Sequence, residues 1–327
     1  MAETGSAGRY GRGADGAAVE LVVLGVPSSA GAHHAGQELA PAALRAQGFV
    51  DRLRAAGLAV TDLGDVAGEV FTSDTLDSTA RNIDAVVRVA RGVADAVEQQ
   101  ARAGRTPILL GGDCTLTLGV VAGLQRVHDD VRVAYFDGDA DLDHPARTRS
   151  GILDATGAAH LLGIADTPLA RIGRGVPMLA DHQLVLLGYD PTDEPDSIDP
   201  AILAARPTLR HVTDAQLRTD PVGRAEGAVV ALSDADAVVV HFDVDAVDSR
   251  DLPLGNFPHY GSGVPLGTAA QVLETLLTMP TTAAITLTEI NPSYDPAGNH
   301  LARYVDAVGT AITHALARRS GDGGRSR

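Results

Sequence analysis

Two stretches of this sequence set carboxylates two apart at the end of an apolar run. In VRVAYFDGDADLDH, residues 131–144, a β-branched and aromatic segment turns into Asp137, Asp139, Asp141 and Asp143. In AVVVHFDVDAVD, residues 237–248, the same change yields Asp243, Asp245 and then Asp248. Alternate residues of a strand share a face, so this spacing crowds several acids into one small volume. Like charges that close repel strongly unless a cation sits among them. Taken alone, an Asp pair after a strand is equally a turn former or a helix cap. Two further strand ends shift the balance: Gly111-Gly112-Asp113-Cys114 follows residues 106–110, and Glu289 follows residues 282–288. Acids or a thiol at four separate strand ends predict one metal-binding site drawn from distant parts of the chain.

The elements that must hold these residues are readable from periodicity. Apolar runs predict strands over residues 19–26, 58–63, 106–110, 131–136, 183–187, 209–212, 237–242 and 282–288. Helical patterns fit 41–56, with Pro41 in the first turn, 75–102, with Asp74 as a cap, and 116–127, 265–277 and 300–318. Strands alternating with helices, several of them apolar on both faces, predict a three-layer α/β/α architecture around an eight-stranded, mostly parallel sheet. Ligands of such sheets bind outside the carboxyl ends of the strands, where the acids collect. No linker-like segment or internal repeat divides the chain. We expect a single domain over residues 19–318, with disordered tails at 1–18 and 319–327.

Composition sets the outer limits. Of 327 residues 45% are apolar, enough for a sizeable core, but only 3% are aromatic, so small aliphatics must fill it. Twenty-six basic against 42 acidic residues leave a net charge of −16. That balance disfavours nucleic acid or an anionic membrane as partner and favours cationic ligands, though most of the charge serves solubility. One cysteine, Cys114, excludes an internal disulfide framework and fits a reducing, cytoplasmic compartment. The first 18 residues lack the apolar core of a secretory signal, and no apolar run approaches the ~20 residues of a membrane span.

The four strand-end motifs, in this order, resemble those of the ureohydrolases: arginases, agmatinases and related guanidino or formimino hydrolases. The family pattern is GGDH, DAHxD, DxDxxDP and a Glu-Val-Asn-Pro-like segment, each after a strand. The counterparts are Gly111-Gly112-Asp113-Cys114, Asp137-Gly138-Asp139-Ala140-Asp141, Asp243-Val244-Asp245-Ala246-Val247-Asp248 and Glu289-Ile290-Asn291-Pro292. Residues 25–48, GVPSSAGAHHAGQELAPAALRAQG, are similar to the family's opening strand end, Gly-rich loop and first helix. The resemblance runs from about Val19 to the last helix and implies the fold shared by arginases and deacetylases. It also implies two Mn²⁺ ions and a bridging hydroxide that attacks the guanidinium carbon. A guanidinium is a poor electrophile and neutral water a weak nucleophile, so both need that help. By position, Cys114, Asp137, Asp141 and Asp243 would surround one metal, and Asp137, Asp139, Asp243 and Asp245 the other. Asp141 would also relay the hydroxide's proton, and Glu289 would pair with the guanidinium. The family's assembly implies a homo-oligomer, a trimer or hexamer.

Departures from the pattern carry chemistry of their own. Cys114 and Asp139 stand where the family keeps histidine ligands. One extra carboxylate and one thiolate add two negative charges, which would raise the pKa of a ligand or of the bound water. The all-oxygen site suits Mn²⁺, Mg²⁺ or Ca²⁺, and the site with a soft thiolate invites Zn²⁺. Cys114 could instead be a buried, non-ligating thiol. Where the family has Ser-Gly-Asn-x-His-Gly, this chain has Ser150-Gly151-Ile152-Leu153-Asp154-Ala155. Asp154 then replaces the histidine proton shuttle, or is a helix cap; His144 and His160 are the other candidate shuttles. Thr148 and Ser150 match hydroxyl donors for a substrate carboxylate, Asp143 replaces the asparagine beside them, and Asp193 lies near the α-amino position. Since Asp143 would repel a carboxylate, the expected substrate is a small cationic guanidino compound, agmatine-like or longer, with N-modified arginine behind it. The alternatives are a weak or inactive homologue acting as a binding or assembly subunit and, more distantly, a deacetylase-like amide hydrolase.

Overall fold

A computed structural model describes residues 19–73, 79–145, 147–148, 150–192 and 199–322. The aliphatic runs form eight strands: β1 (Glu20–Gly25), β2 (Val60–Asp65), β3 (Arg105–Leu110), β4 (Val131–Phe136), β5 (Leu184–Leu187), β6 (Arg210–Val212), β7 (Ala237–Asp243) and β8 (Thr282–Thr288). They make one sheet in the order β2-β1-β3-β8-β7-β4-β5-β6, every neighbouring pair parallel. The expected mostly parallel sheet is thus wholly parallel among the described residues.

Helices cover both faces, as parallel strands require. They are α1 (Ala40–Ala46), α2 (Phe49–Ala55), α3 (Ile83–Arg102), α4 (Leu116–Gln125), α5 (Gly157–Leu161), α6 (Asp199–Ala205), α7 (Asp214–Thr219), α8 (Pro221–Leu232), α9 (Leu266–Leu276) and α10 (Asn299–Asp322). Alternation along the strands divides the core in two. On one face Leu21, Val23, Ile108, Leu110, Phe136, Val240 and Phe242 pack with α1, α2, α8, α9 and α10. On the other, Leu109, Val131, Val133, Tyr135 and Val239 pack with α3 and α4. α4 is buried on every side, wedged between α3 and the sheet, and begins just past the Cys114 turn.

Several helix boundaries differ from the sequence reading. The helix expected over 41–56 is two, α1 and α2, because Gly48 takes φ 79° between them. The helix expected from residue 75 starts at Ile83, after Asn82 at φ 57°, and its expected cap Asp74 lies outside the described residues. α10 continues to Asp322, past the expected start of a tail at 319. The tails at 1–18 and 323–327 lie outside the described residues. α6, α7 and α8 have no counterpart in the sequence reading, yet two carry caps. Thr213 and Gln216 form a reciprocal capping box at α7, and Asp220 accepts from Gly223 N at 3.0 Å to open α8, with Pro221 in its first turn. Among the described residues no helix is long and apolar enough to cross a membrane.

Candidate metal centre

β3, β8, β7 and β4 are adjacent in the sheet, so their carboxyl ends bring the four motifs to one place. After β3 the chain turns through Gly111 and Gly112 at φ 83° and 80°, a conformation that glycine adopts without strain, and delivers Cys114 beneath α4. Cys114 Sγ lies 2.6 Å from Asp243 Oδ2 on β7 and 3.5 Å from Asp137 Oδ2 beyond β4. Gly138 lets the ends of β4 and β7 approach: a Cβ there would stand 2.6 Å from the Asp245 carbonyl oxygen. Its N–H donates to Asp245 Oδ1 at 3.1 Å. Asp139 N and Asp245 N donate to the carboxylates two residues before them, Asp137 and Asp243, both at 2.8 Å, which fixes both pairs.

Two imidazoles that the motifs omit complete the arrangement. His241, Cys114, Asp137 and Asp243 bring one donor atom each within 4.8 Å of one another, and Asp139, Asp245 and His259 form a second such group. His241 Nε2 is 3.4 Å from Asp137 Oδ2 and 3.6 Å from Cys114 Sγ. Its Nδ1 meets the hydroxyls of Thr117 at 2.8 Å and Thr286 at 2.9 Å, and its ring stacks on Tyr135 with centroids 4.1 Å apart. His259 Nε2 is 3.3 Å from Asp139 Oδ2 and 3.8 Å from Asp245 Oδ2. The loop bearing it is tied down at both ends. Ser249 N donates to His259 O and His259 N to Ser249 Oγ, at 2.9 and 3.0 Å, and Asp248 Oδ1 accepts from Gly261 N at 3.1 Å.

Electrostatics favour a cation among these groups. Burial, then repulsion from Asp245 and Asp139, pushes the Asp137 carboxyl well above the usual carboxylate range. Burial, then Asp245 and Asp137, does the same to Asp243. Asp245 is raised by burial, against the pull of His259. The Cys114 thiol is pushed well up by burial and by Asp243. Burial lowers His241 to about 3, so its imidazole is neutral. Such a set cannot be fully ionised in the folded protein unless positive charge compensates it. Oxygen, sulfur and neutral nitrogen donors at these spacings fit divalent metal ions.

The remaining predicted residues surround this centre unequally. Asp141 joins neither group; its backbone turns at φ 52° and its Oδ2 accepts from the Tyr135 hydroxyl at 2.5 Å. Glu289, at φ 62°, accepts from Cys114 N at 3.1 Å through Oε1 and from Gln37 Nε2 through Oε2. Asp154 is buried, raised well above the carboxylate range by burial and then Asp113, and lies 3.8 Å from His33 Nε2. It caps no helix, since Thr156 occupies that place at α5. His160 has Nδ1 against Thr156 O and Nε2 against Thr167 Oγ1, both at 2.8 Å, which gives its ring a structural post. His144, half-buried, turns the loop by accepting from Arg147 N and Thr148 N through its carbonyl. Asp143 is half-buried; Thr148 and Ser150 accept from Gly151 N at 2.6 Å and Ile152 N at 3.2 Å. Asp193 lies outside the described residues.

Of the residues the motifs miss, only His241 has a signal, being two before Asp243 and so on the same strand face. His259, Gln37 and His33 sit in irregular segments with no periodicity to mark them.

Known proteins resemble this chain over most of its length. The Arginase family matches residues 19–314. An arginase from Bacillus caldovelox is 27% identical over 280 residues, covering 84% of this chain and 92% of that protein. The crystal structure of arginase from Bacillus cereus superposes with a TM-score of 0.79 at 23% identity, over 90% of this chain and 98% of that one. Proclavaminate amidino hydrolase from Streptomyces clavuligerus has the same fold, with a TM-score of 0.70 at 19% identity over 92% and 93% of the two chains. The chain belongs to the arginase family.

Proposed function

We propose that this protein is a metal-dependent hydrolase that cleaves a guanidino compound into urea and an amine. The observation that best supports this is the meeting of Cys114, Asp137 and Asp243, and of Asp139 and Asp245, at neighbouring strand ends in an arginase-family chain. Two divalent ions held there, Mn²⁺ by expectation, would supply a water of lowered pKa and a positive field for the charge that develops in the reaction.

The other steps belong to the side chains. We assign to Glu289 the substrate's guanidinium, whose N–H donors a buried carboxylate accepts strongly. Gln37 and the Cys114 N–H fix its two oxygens. Asp141, oriented by Tyr135, receives the proton lost by the attacking water. Burial, then Asp113, raises the Asp154 carboxyl well above the usual carboxylate range, which suits it to give a proton to the departing nitrogen. The water's oxygen ends in urea and the leaving nitrogen in a primary amine. His33 is the nearest imidazole to return the proton. Asp143, Thr148 and Ser150 line the loop nearest the substrate's tail. An acid at Asp143 disfavours a free α-carboxylate, so agmatine-like or other guanidinoalkyl substrates, or N-modified arginine, fit better than free arginine. A cytoplasmic homo-oligomer is the working form that accords with the family.

The test joins metal analysis of Mn²⁺-loaded protein to a urea-release screen across guanidines. Bound metal with turnover supports the reading, and higher turnover of decarboxylated than of free arginine supports the substrate class. Folded protein with neither metal nor turnover would overturn it in favour of a binding or assembly subunit.

A further inference from the structure

We propose that His241 and His259 replace, from new positions in the chain, the two imidazole ligands that the family's motifs lose at Cys114 and Asp139. His241 would ligate the ion held by Cys114, Asp137 and Asp243, and His259 the ion held by Asp139 and Asp245. This rests on the dimetal reading above and adds the ligands that reading leaves out.

Three observations carry it. First, the spacing suits shared coordination. Ligands each about 2.0–2.3 Å from one ion stand roughly 3–4 Å apart. His241 Nε2 is 3.4 Å from Asp137 Oδ2 and 3.6 Å from Cys114 Sγ, and His259 Nε2 is 3.3 and 3.8 Å from Asp139 and Asp245. Second, His241 is oriented as metal-binding histidines are, with the far nitrogen held by oxygen so that the near one presents its lone pair. Thr117 and Thr286 hold Nδ1 from two different elements. Third, the protein builds a support for each ring. Tyr135 stacks on His241, while Ser249 bonds to both backbone groups of His259 and Phe257 lies against its edge. A histidine on a central strand among Val238, Val239, Val240 and Phe242 is a costly core residue unless its polar edge is used.

The substitutions leave two unlike sites. Sulfur, nitrogen and two carboxylates surround the first, a borderline-soft set that favours Zn²⁺ or Co²⁺. Two carboxylates and one nitrogen surround the second, which favours Mn²⁺. The ligand set has moved without losing its nitrogen count.

Full-length wild type, His241→Gln, His259→Gln and, as a control, the exposed His314→Gln would be loaded with Mn²⁺ or Co²⁺ and dialysed. Bound metal would be counted by mass spectrometry, nitrogen couplings to Mn²⁺ read by pulsed EPR, and the thiolate-to-Co²⁺ absorption recorded. Wild type and the control are expected to hold two ions with ¹⁴N coupling. Each ligand variant is expected to lose affinity at one site by at least tenfold, the cost of even an outer partner of a metal ligand. His241→Gln should weaken the thiolate-to-Co²⁺ band, and each variant should remove one of the two ¹⁴N couplings to Mn²⁺ and keep the other. Should His241→Gln misfold, Thr117→Val keeps the imidazole and removes one of the two hydroxyls that hold its Nδ1, with a smaller loss at the same site expected. Variants that keep both ions at wild-type affinity and coupling would overturn the ligand assignment alone. A folded wild type that binds no divalent metal would overturn the dimetal reading itself.

Discussion

Removing divalent metal and raising the pH from 6.5 to 8.5 is expected to lower this protein's stability steeply. In the unfolded chain Asp137, Asp141, Asp154, Asp243, Asp245 and Glu289 would lose their protons near pH 4. In the folded chain burial and mutual repulsion raise all six. The metal-free fold therefore binds more protons than the unfolded chain, and its stability falls as pH rises through the raised values. Histidines act in the opposite sense at lower pH. His241 and His160, held to about 3 and about 4 by burial, stay neutral in the fold while the unfolded chain protonates them below about 6.5. Their contribution is complete above that pH, and a depressed carboxylate such as Asp248, at about 2, has long since titrated. The slope above pH 6.5 thus reports the raised acids and, toward pH 8.5, the raised Cys114 thiol, which acts in the same sense. Each proton retained across that window costs about 1.4 kcal/mol per pH unit, so one proton over two units costs about 3 kcal/mol. At about 1.5 °C per kcal/mol for a chain of this length, the melting temperature falls by roughly 4–5 °C per retained proton. Thermal melts at pH 6.5, 7.5 and 8.5, after chelation and again in saturating Mn²⁺, measure this directly. With metal the ions displace the protons of Asp137, Asp243 and Asp245, and the slope should become clearly shallower. A metal-free melting temperature that is flat or rises over this range would refute the electrostatic argument.

Other perturbations follow from single residues. The Tyr304 hydroxyl is buried with no hydrogen-bond partner among the described residues, so Tyr304→Phe is expected to gain about 1 kcal/mol in a denaturant titration. Asp143→Asn removes a half-buried charge beside the substrate loop. It should raise kcat/KM for carboxylate-bearing guanidines relative to agmatine-like ones by roughly tenfold, the worth of one charge at several ångströms. Asp248→Ala frees the N–H groups of Arg250 and Gly261 and loosens the His259 loop. It is expected to cost about 1–3 kcal/mol in a denaturant titration and to lower metal content, whereas Arg250→Ala, at the exposed end of the pair with Asp248, should change stability by less than about 1 kcal/mol.

Much of the scaffold was legible because its strands are apolar on both faces. Runs such as AVVVHF and TAAITLT admit few other readings, and the acids at their ends lie where parallel sheets bind ligands. Pairing order was not legible: nothing local in TAAITLT says that β8 lies between β3 and β7. α8 escaped because Gly223 and Gly227 blur its apolar stripe and α7 because six residues are too few to show one, although the Thr213–Gln216 box and Asp220–Pro221 were there to be read. Within the site, Asp137, Asp139, Asp243 and Asp245 could be singled out because strand alternation groups them. Asp141 departs from that grouping because its backbone kinks toward Tyr135. His241 was hidden by its surroundings, since a lone histidine in an apolar strand reads as core. His259 is brought in by a loop whose ties to Ser249 and Asp248 exist only in three dimensions.

The strand order bears on how the molecule is made. Among the described residues β8 is the last strand in sequence, yet it lies between β3 and β7 and alone joins β2-β1-β3 to β7-β4-β5-β6. Until residues 282–288 emerge from the ribosome, the chain can form two part-sheets with open inner edges but not one continuous sheet. Cys114 then stays on one part, and Asp137 and Asp243 on the other. An ion drawing ligands from both parts would therefore be captured late and would help to seal them together. A nascent or truncated chain ending before β8 would present two unpaired edges to other chains, a form prone to aggregate.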